Sequence, residues 1–261
     1  MTSFGEMLGS SLGFNTNTKK SEIGDYFKKI QNTLEGTKTS LNKIVENMKK
    51  EGNPNATAVE NAVKTLVAGT LDKVIEGAKT ASGAIGDAGR PIANVAEQDA
   101  GAVGDVDNLV KGIKGIVNVV LKEGDADAGD ANGPVNDNGS AGDVRTNSSD
   151  NAGKLFASDN SGNATSVAAK AAKDAIKAVG AITGADILQA ISKGVGGKAV
   201  ALAKNTDAVG SVSAAQDAKD ATIAGAIALR AMAKNGKFSG PPQSTPKKDV
   251  ATQLKELHSV Q

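Results

Sequence analysis

Positions Ile23, Phe27, Ile30, Leu34, Thr37, Leu41, Ile44 and Met48 follow one another at alternating spacings of four and three, in an otherwise polar stretch. That spacing draws the seam of a coiled-coil-like helix. Ser21 is placed to cap its start, and Gly52 with Pro54 to end it. A single stripe of side chains cannot offset the entropy of ordering so long a segment, so this first helix needs partners. A second helix is expected from Thr57 to Lys79, with Thr57 and Glu60 as a capping box and Val59, Val63, Val67, Leu71, Val74 and Ala78 along one face.

Farther along, residues 82–104 mix Gly, Ala and Pro91 and read as a turn with one short helix. Residues 105–122 return to helical spacing, with Val106, Leu109, Val110, Ile113, Ile116, Val117 and Val120 on the apolar side and Gly124 as the stop. Three more helical segments are expected near 164–180, 185–204 and 213–235, the last closing at Asn235-Gly236. In that last segment Arg230 and Lys234 are almost the whole polar face, so it belongs at the centre of the molecule. Gly240-Pro241-Pro242 through Pro246 reads as a linker. Val250, Leu254 and Leu257 then mark a short amphipathic helix, expected to dock on the seam of the first helix.

Between the helical halves, Gly124 to Asn151 is Gly, Asp, Asn and Ser with almost nothing to bury. Positions 123–151 hold seven carboxylates (Glu123, Asp125, Asp127, Asp130, Asp137, Asp143 and Asp150) against the single Arg145. The expectation is a solvated acidic loop that is mobile, functional, or both.

Composition narrows the function. Hydrophobic residues make up 39% of 261 residues but aromatics only 2%, so any core is built from Ala, Val, Ile and Leu. Alanine is the best helix former, and the pattern indicates closely packed helices rather than sheets. Thirty cations against 29 anions give a formal charge of +1, which removes a global electrostatic argument for nucleic acid. The absence of cysteine excludes disulfides, thiolate metal sites and cysteine nucleophiles. No uncharged run approaches the ~18 apolar residues of a membrane helix, and Met1 to Phe14 lacks the pattern of an intact signal peptide.

Three blocks carry a family resemblance. Lys20 to Asn42 reads KSEIGDYFKKIQNTLEGTKTSLN, Ala152 to Phe156 reads AGKLF, and Ile227 to Phe238 reads IALRAMAKNGKF. In these blocks, in this order, the chain resembles the variable large proteins of Borrelia spirochaetes, the variable major protein-like surface lipoproteins. The resemblance covers most of residues 5–239. It implies an all-helical body held on the outer membrane by an N-terminal acylated cysteine bearing palmitate, with variable loops facing away from the cell. It further implies immune evasion by antigenic variation, one variant at a time, with host antibodies as partners. Two features depart from the family pattern. The acylated cysteine is absent, as in a mature sequence beginning just after it. Residues 241–261 stand where family members carry a long C-terminal helix that pairs with the first.

Candidate sites are few. Gly194-Val195-Gly196-Gly197-Lys198 fails as a phosphate loop, since Ser192 stands at the first glycine position and Ala199 follows the lysine, and a helix break is expected instead. Asp125, Asp127 and Asp130 with Gly129 lack the EF-hand pattern and read as solvated loop. His258 is the single histidine and has no second ligand or cysteine with which to build a zinc site or triad. The glycan-acceptor triplets at Asn55, Asn147 and Asn163 carry no weight in a spirochaete. Leu155 and Phe156 are expected to tuck under the body.

The expected protein is all-α: a single helical-bundle domain with a long first helix, a buried central helix in its C-terminal half and variable surface loops. Residues 1–20 form a membrane-proximal segment, 21–239 the antigen domain with 124–151 as its exposed acidic loop, and 240–261 the linker and last helix. No catalytic residue, cofactor or metal is assigned, and the exposed seam leaves room for a homodimer through two first helices. The alternative function is a host-ligand-binding adhesin, for which a concave basic or apolar patch between loops would be the mark.

Overall fold

The first helix is held at its start by an acid. In the computed structural model, which describes residues 18–86, 89–92, 94–96, 100–136, 139–162 and 165–240, helix α1 runs Lys20–Lys50. Lys19 precedes it and donates its backbone N–H to Glu22 Oε1 at 3.1 Å. Ser21 therefore lies inside the helix and is not its cap. Glu22 in the first turn and Lys49 and Lys50 in the last both complement the helix dipole.

The seam of α1 holds in its first half and shifts by one residue in its second. Ile23 is buried and Phe27, Ile30, Leu34, Leu41 and Met48 are half-buried, but Thr37 is exposed and Ile44 is 52% exposed. Val45 is buried in place of Ile44. A straight helix drifts against a strict seven-residue repeat, and over this length the drift is enough to bring the next side chain inward.

A longer helix than expected follows. It comprises α2, Ala56–Leu66, a π-helical segment Val67–Leu71, and α3, Asp72–Ile85. Asn55 precedes α2 without a side-chain cap bond. The expected Thr57 and Glu60 box does not form, because Glu60 pairs with Lys49 at 2.6 Å and Lys64 at 2.9 Å. The helix lies antiparallel on α1, with rungs at Lys49–Glu60, at Lys38–Asp72 (2.6 Å) and at Ser82 Oγ donating to Gly24 O (3.0 Å). Val63, Leu71, Val74 and Ala78 are buried along the expected stripe.

Helix α4, Val106–Val120, packs on α3 at a distance that only glycine permits. A Cβ on Gly77 would stand 2.8 Å from Gly112 O, and one on Gly112 would stand 2.5 Å from Ala81 N. Val106, Leu109, Val110, Ile113 and Val117 are buried as the spacing predicts, whereas Val120, the last residue of the helix, is 58% exposed. Between α3 and α4 the described residues run extended, not as the short helix expected. Ile92 N donates to Thr18 O at 3.0 Å, and Ala96 N and Lys237 N reach Phe238 O and Ala102 O, each at 2.8 Å. Pro91 and the neighbouring glycines favour this strap over a helix.

The C-terminal half packs α5 (Thr165–Gly180), α6 (Gly184–Ser192) and α7 (Lys198–Ala203) around α8 (Asp220–Met232). The segment expected as one helix over 185–204 is two, split by a 3-10 turn at Gly194–Gly196. Residues 213–235 likewise reduce to a 3-10 turn at Ser213–Ala215 and α8. α8 ends at Met232, three residues before Asn235, which takes a left-handed φ of 63°. It occupies the centre, with Ala221 to Ala226, Leu229, Arg230 and Met232 buried and only Ile227, Ala228 and Ala231 half-buried. Arg230 is thus interior rather than part of a polar face. No strand occurs among the described residues, and the fold is mostly helical. Residues 241–261, with the expected docking helix and His258, lie outside the described residues, as does Asn163.

Candidate functional site

Three short blocks far apart in the chain meet in the interior. Asn151 Oδ1 accepts from Gly153 N at 2.7 Å and starts a 3-10 turn over Ala152–Phe156, the AGKLF block. Leu155 and Phe156 are fully buried. The Phe156 ring meets Phe238 edge to face at 5.8 Å and lies under the Arg230 guanidinium, 5.2 Å from its centroid.

Arg230 has no carboxylate partner among its hydrogen bonds. It donates from Nε and Nη2 to Ala203 O at 2.9 and 2.6 Å, the carbonyl that ends α7. A helix C-terminus carries unpaired carbonyls and partial negative charge, so the guanidinium is stabilised there without an anion. Burial lowers its pKa to about 10, and it remains charged at neutral pH. Lys20 is held in the same manner: Nζ donates to Ala233 O at 2.7 Å and Gly236 O at 2.8 Å. Burial, with Arg90 and Lys237 nearby, brings its pKa down to about 8. The first block, AGKLF and the C-terminal block are therefore one interlocked frame.

A second cluster fixes the acidic loop to that frame. Arg145, expected in solvent from its acidic neighbours in sequence, is completely buried. All five guanidinium N–H groups are used. Nε and Nη2 form a fork on Asp174 at 2.8–3.1 Å, Nη2 also reaches Asp220 Oδ1 at 2.7 Å, and Nη1 reaches Asp130 O at 3.0 Å and Ala218 O at 2.8 Å. Burial works against the charge, but the hydrogen bonds and fields of Asp174 and Asp220 outweigh it and raise the pKa above its ordinary value. Asp174 comes from α5 and Asp220 opens α8. Lys177 adds bonds to Asp220 Oδ2 at 2.8 Å and Asp130 Oδ1 at 2.6 Å. That bond to Lys177 holds the Asp130 carboxyl below its usual range.

Beyond this cluster the loop pairs with itself. Arg145 N donates to Ala131 O and Gly133 N to Asp143 O, each at 2.8 Å, which closes a neck. At the tip, Asn136 N donates to Ser140 O at 3.0 Å and Gly139 N to Asn136 O at 2.8 Å. An open hollow of about 670 Å³ separates the tip from α5, with Pro134, Val135 and Asn136 on one side and Ala169, Lys173 and Ile176 on the other. Lys170 and Lys173 line it together with Asp143 and Asp150, so its lining carries charges of both signs beside apolar side chains. The stretch expected to be mobile, functional or both is therefore pinned at both legs.

The remaining candidates fall elsewhere. Asp125 Oδ1 accepts from Asp127 N at 2.9 Å as a turn, and Asp130 belongs to the Lys177 pair. Among the described residues no three acids or histidines stand close enough to hold a metal ion. Gly194 to Lys198 forms the break between α6 and α7, with Val195 exposed. Asn55 and Asn147 are exposed. No single helix among the described residues is long and apolar enough to cross a membrane. Sequence reasoning passes over Asp174, Lys177 and Asp220. The visible signal is a carboxylate at Asp174 on the face of α5 that otherwise carries Ala171, Ala175 and Ala178.

A family model described as Borrelia lipoprotein matches residues 1–255. The chain is 55% identical over 215 residues to variable large protein 19 of Borrelia hermsii, covering 79% of this chain and 60% of that protein. With variable large protein 17 of the same organism it shares 41% over 253 residues, covering 90% of this chain and 65% of that one. The chain thus spans less than two thirds of these relatives' length. Among solved structures, the Lyme disease variable surface antigen VlsE of Borrelia burgdorferi aligns with a TM-score of 0.68 and 29% identity, over 96% of this chain and 88% of that one.

Proposed function

Because the chain belongs to the Borrelia lipoprotein family, among its variable large proteins, we propose that it is an antigenically variable surface lipoprotein acting in immune evasion. In this reading the interlocked blocks form a fixed body, a lipid anchor on the whole protein fastens that body to the outer membrane, and host antibodies meet the loops. It is not an enzyme, in keeping with relatives that are variable proteins and surface antigens.

The observation that carries this reading is the division of labour between inside and outside. Lys20, Phe156, Arg230 and Phe238, from the three blocks, are buried against one another, while Asp125, Asp127, Val135 and Asp143 of the acidic loop are exposed. Buried residues are constrained by packing, and exposed loop residues are free to change. The exposed flank of α1 at Ile44 also leaves a surface on which two copies could pair.

Surface proteolysis of intact cells, followed by antibody binding, tests the proposal. Loss of the protein from protease-treated cells, with antibodies to the intact antigen mapping to loops such as 124–151, is the expected result. Full protection from protease, or antibodies confined to α8, would overturn it.

A further inference from the structure

Resting on the anchored reading above, we propose that Lys19, Arg90, Lys234 and Lys237, gathered around Lys20 at the start of α1, form a face that seats on anionic lipid headgroups. Three chain segments build this face. Lys20 N donates to Arg90 O at 3.0 Å and Lys19 bridges to Pro91, which sets the first turn of α1 against residues 90–91. Lys20 Nζ donates to Ala233 O at 2.7 Å and Gly236 O at 2.8 Å, carbonyls on either side of Lys234 and just before Lys237. Lys234 N donates to Ala84 O at 2.8 Å, and its side chain lies so close over Gly86 that a Cβ there would stand 2.9 Å from Lys234 Cδ.

These cations repel one another. Arg90 and Lys237 stand near enough to the Lys20 ammonium to add to the lowering of its pKa by burial. Elsewhere in the molecule cations sit in ion pairs, Lys38 on Asp72, Lys49 on Glu60, Lys177 on Asp220 and Lys204 on Asp107. Among the described residues no carboxylate pairs with Lys19, Arg90, Lys234 or Lys237, although the first three are exposed and the fourth is half-buried. Glu22 and Asp105 border the face, and each is engaged: Glu22 Oε1 accepts from Lys19 N, and Asp105 accepts from Asn108 Nδ2 at 3.1 and 3.2 Å. Asp87, Glu97 and Asp99 of the adjoining stretch lie outside the described residues. A cluster held against its own repulsion is relieved by a surface of negative charge.

Its placement favours a bilayer over a soluble polyanion. The face lies where the chain enters α1, the end that an N-terminal anchor joins first, and the turn after α1 is about 45 Å away at 1.5 Å per residue. The central helix divides charge in the same sense. At its start Asp220 N donates to Asp130 O at 3.1 Å and so holds one leg of the acidic loop. Lys234 and Lys237 follow its other end, about 20 Å off. A body with cations at the anchored end and a carboxylate-rich loop tied to the other is oriented by a negative surface, which attracts the first and repels the second.

Vesicle co-sedimentation of the full cysteine-free chain tests this. Phosphatidylcholine vesicles with about 40% phosphatidylglycerol should bind it at low salt, and pure phosphatidylcholine should not. Sodium chloride at about 0.5 M should release it, since the screening length then falls to roughly 4 Å. Lys19→Gln, Arg90→Gln and Lys234→Gln together should weaken binding at least about twentyfold, at roughly fivefold for each cation. The same charge removed at other exposed sites, by Lys43→Gln, Lys50→Gln and Lys193→Gln, should change it less than about threefold. Lys19→Arg, Arg90→Lys and Lys234→Arg together keep the charge and should bind as the parent does. No binding to anionic vesicles, or equal losses in the two glutamine sets, would overturn the proposal. Capture of soluble heparin through the same three residues, with none of vesicles, would assign the face to a polysaccharide and overturn it too. Vesicle binding uses neither cells nor antibodies, so failure here leaves the surface-antigen reading standing, and failure of that reading shows instead as protease protection on cells.

Discussion

Lys20 Nζ donates to the carbonyl oxygen of Gly236 at 2.8 Å, across 216 positions of sequence. The bond seats the first turn of α1 on the loop that follows α8, and almost no water reaches it, since Lys20 is 1% exposed. A charge buried against carbonyls alone is held at a cost, which is why its pKa falls from 10.5 to about 8.

That cost gives a pH dependence with a defined sign. The folded pKa is the lower one, so between about pH 8 and 10.5 the unfolded chain binds more protons and stability rises with pH. The full relief is about 3 kcal/mol, at ~1.4 kcal/mol for each tenfold change in proton affinity. Urea unfolding at pH 7.5 and pH 10 should show this gain in the parent chain. Lys20→Met should lack it, and an identical slope in both proteins would refute the assignment.

The Phe156 and Phe238 rings, 5.8 Å apart, join the AGKLF block to the C-terminal one. Phe156→Ala should destabilise by ~3–5 kcal/mol, since the ring is fully enclosed. A double-mutant cycle with Phe238→Ala should leave a coupling of about 0.5–1.5 kcal/mol. Strict additivity in chemical denaturation would mean that the two blocks stand independently.

Two glycines with similar backbone angles should respond differently to alanine. Gly129 has φ +78°, and a Cβ there would fall 2.4 Å from Asp220 Oδ2, beside the buried Arg145 cluster. Gly139, at φ +81° in the loop tip, has nothing within 4 Å. Gly139→Ala should cost only the left-handed penalty of ~1–2 kcal/mol. Gly129→Ala should cost clearly more and slacken the Asp220 contacts, as calorimetry would show; equal losses would contradict the close approach.

Register along α1 can be read by substitution. Val45 is 6% exposed and Ile44 is 52% exposed. Val45→Ser should cost ~1–3 kcal/mol by burying a hydroxyl in place of methyl groups, whereas Ile44→Ser should stay within about 0.5 kcal/mol. The reverse order in thermal melts would restore the unshifted seam.

Periodicity locates the helices because one face of each is buried, and burial is what imposes the 3.6-residue repeat. The stripe from Val63 to Ala78 and the one from Val106 to Val117 are legible for that reason. It cannot locate the π segment at Val67–Leu71, which is a local change of winding that leaves composition untouched. Capping at Ser21 and Thr57 is misjudged from sequence because the competing partners, Lys19 for Glu22 and Lys49 with Lys64 for Glu60, are set by how chain segments meet. Arg145 is misjudged for a related reason. Surrounded by acids in sequence, it looks solvated, yet its partners Asp174 and Asp220 are 29 and 75 positions away. A sharper signal lies in the cations themselves. The chain spends lysine almost everywhere and has arginine only at 90, 145 and 230, two of which are fully buried. A planar fork that stays charged suits an interior better than an ammonium group does.

The cations at the heart of this molecule hold mostly oxygen atoms of the main chain: Ala203 for Arg230, Ala233 and Gly236 for Lys20, Asp130 and Ala218 for Arg145. Every amino acid supplies that atom. A mutation that alters the side chain at one of these positions leaves the grip itself unchanged, provided the new residue fits the space. The lock therefore tolerates spelling errors in its own keyhole, and a lineage can rewrite much of the surrounding sequence while the same three cations go on closing on the same backbone.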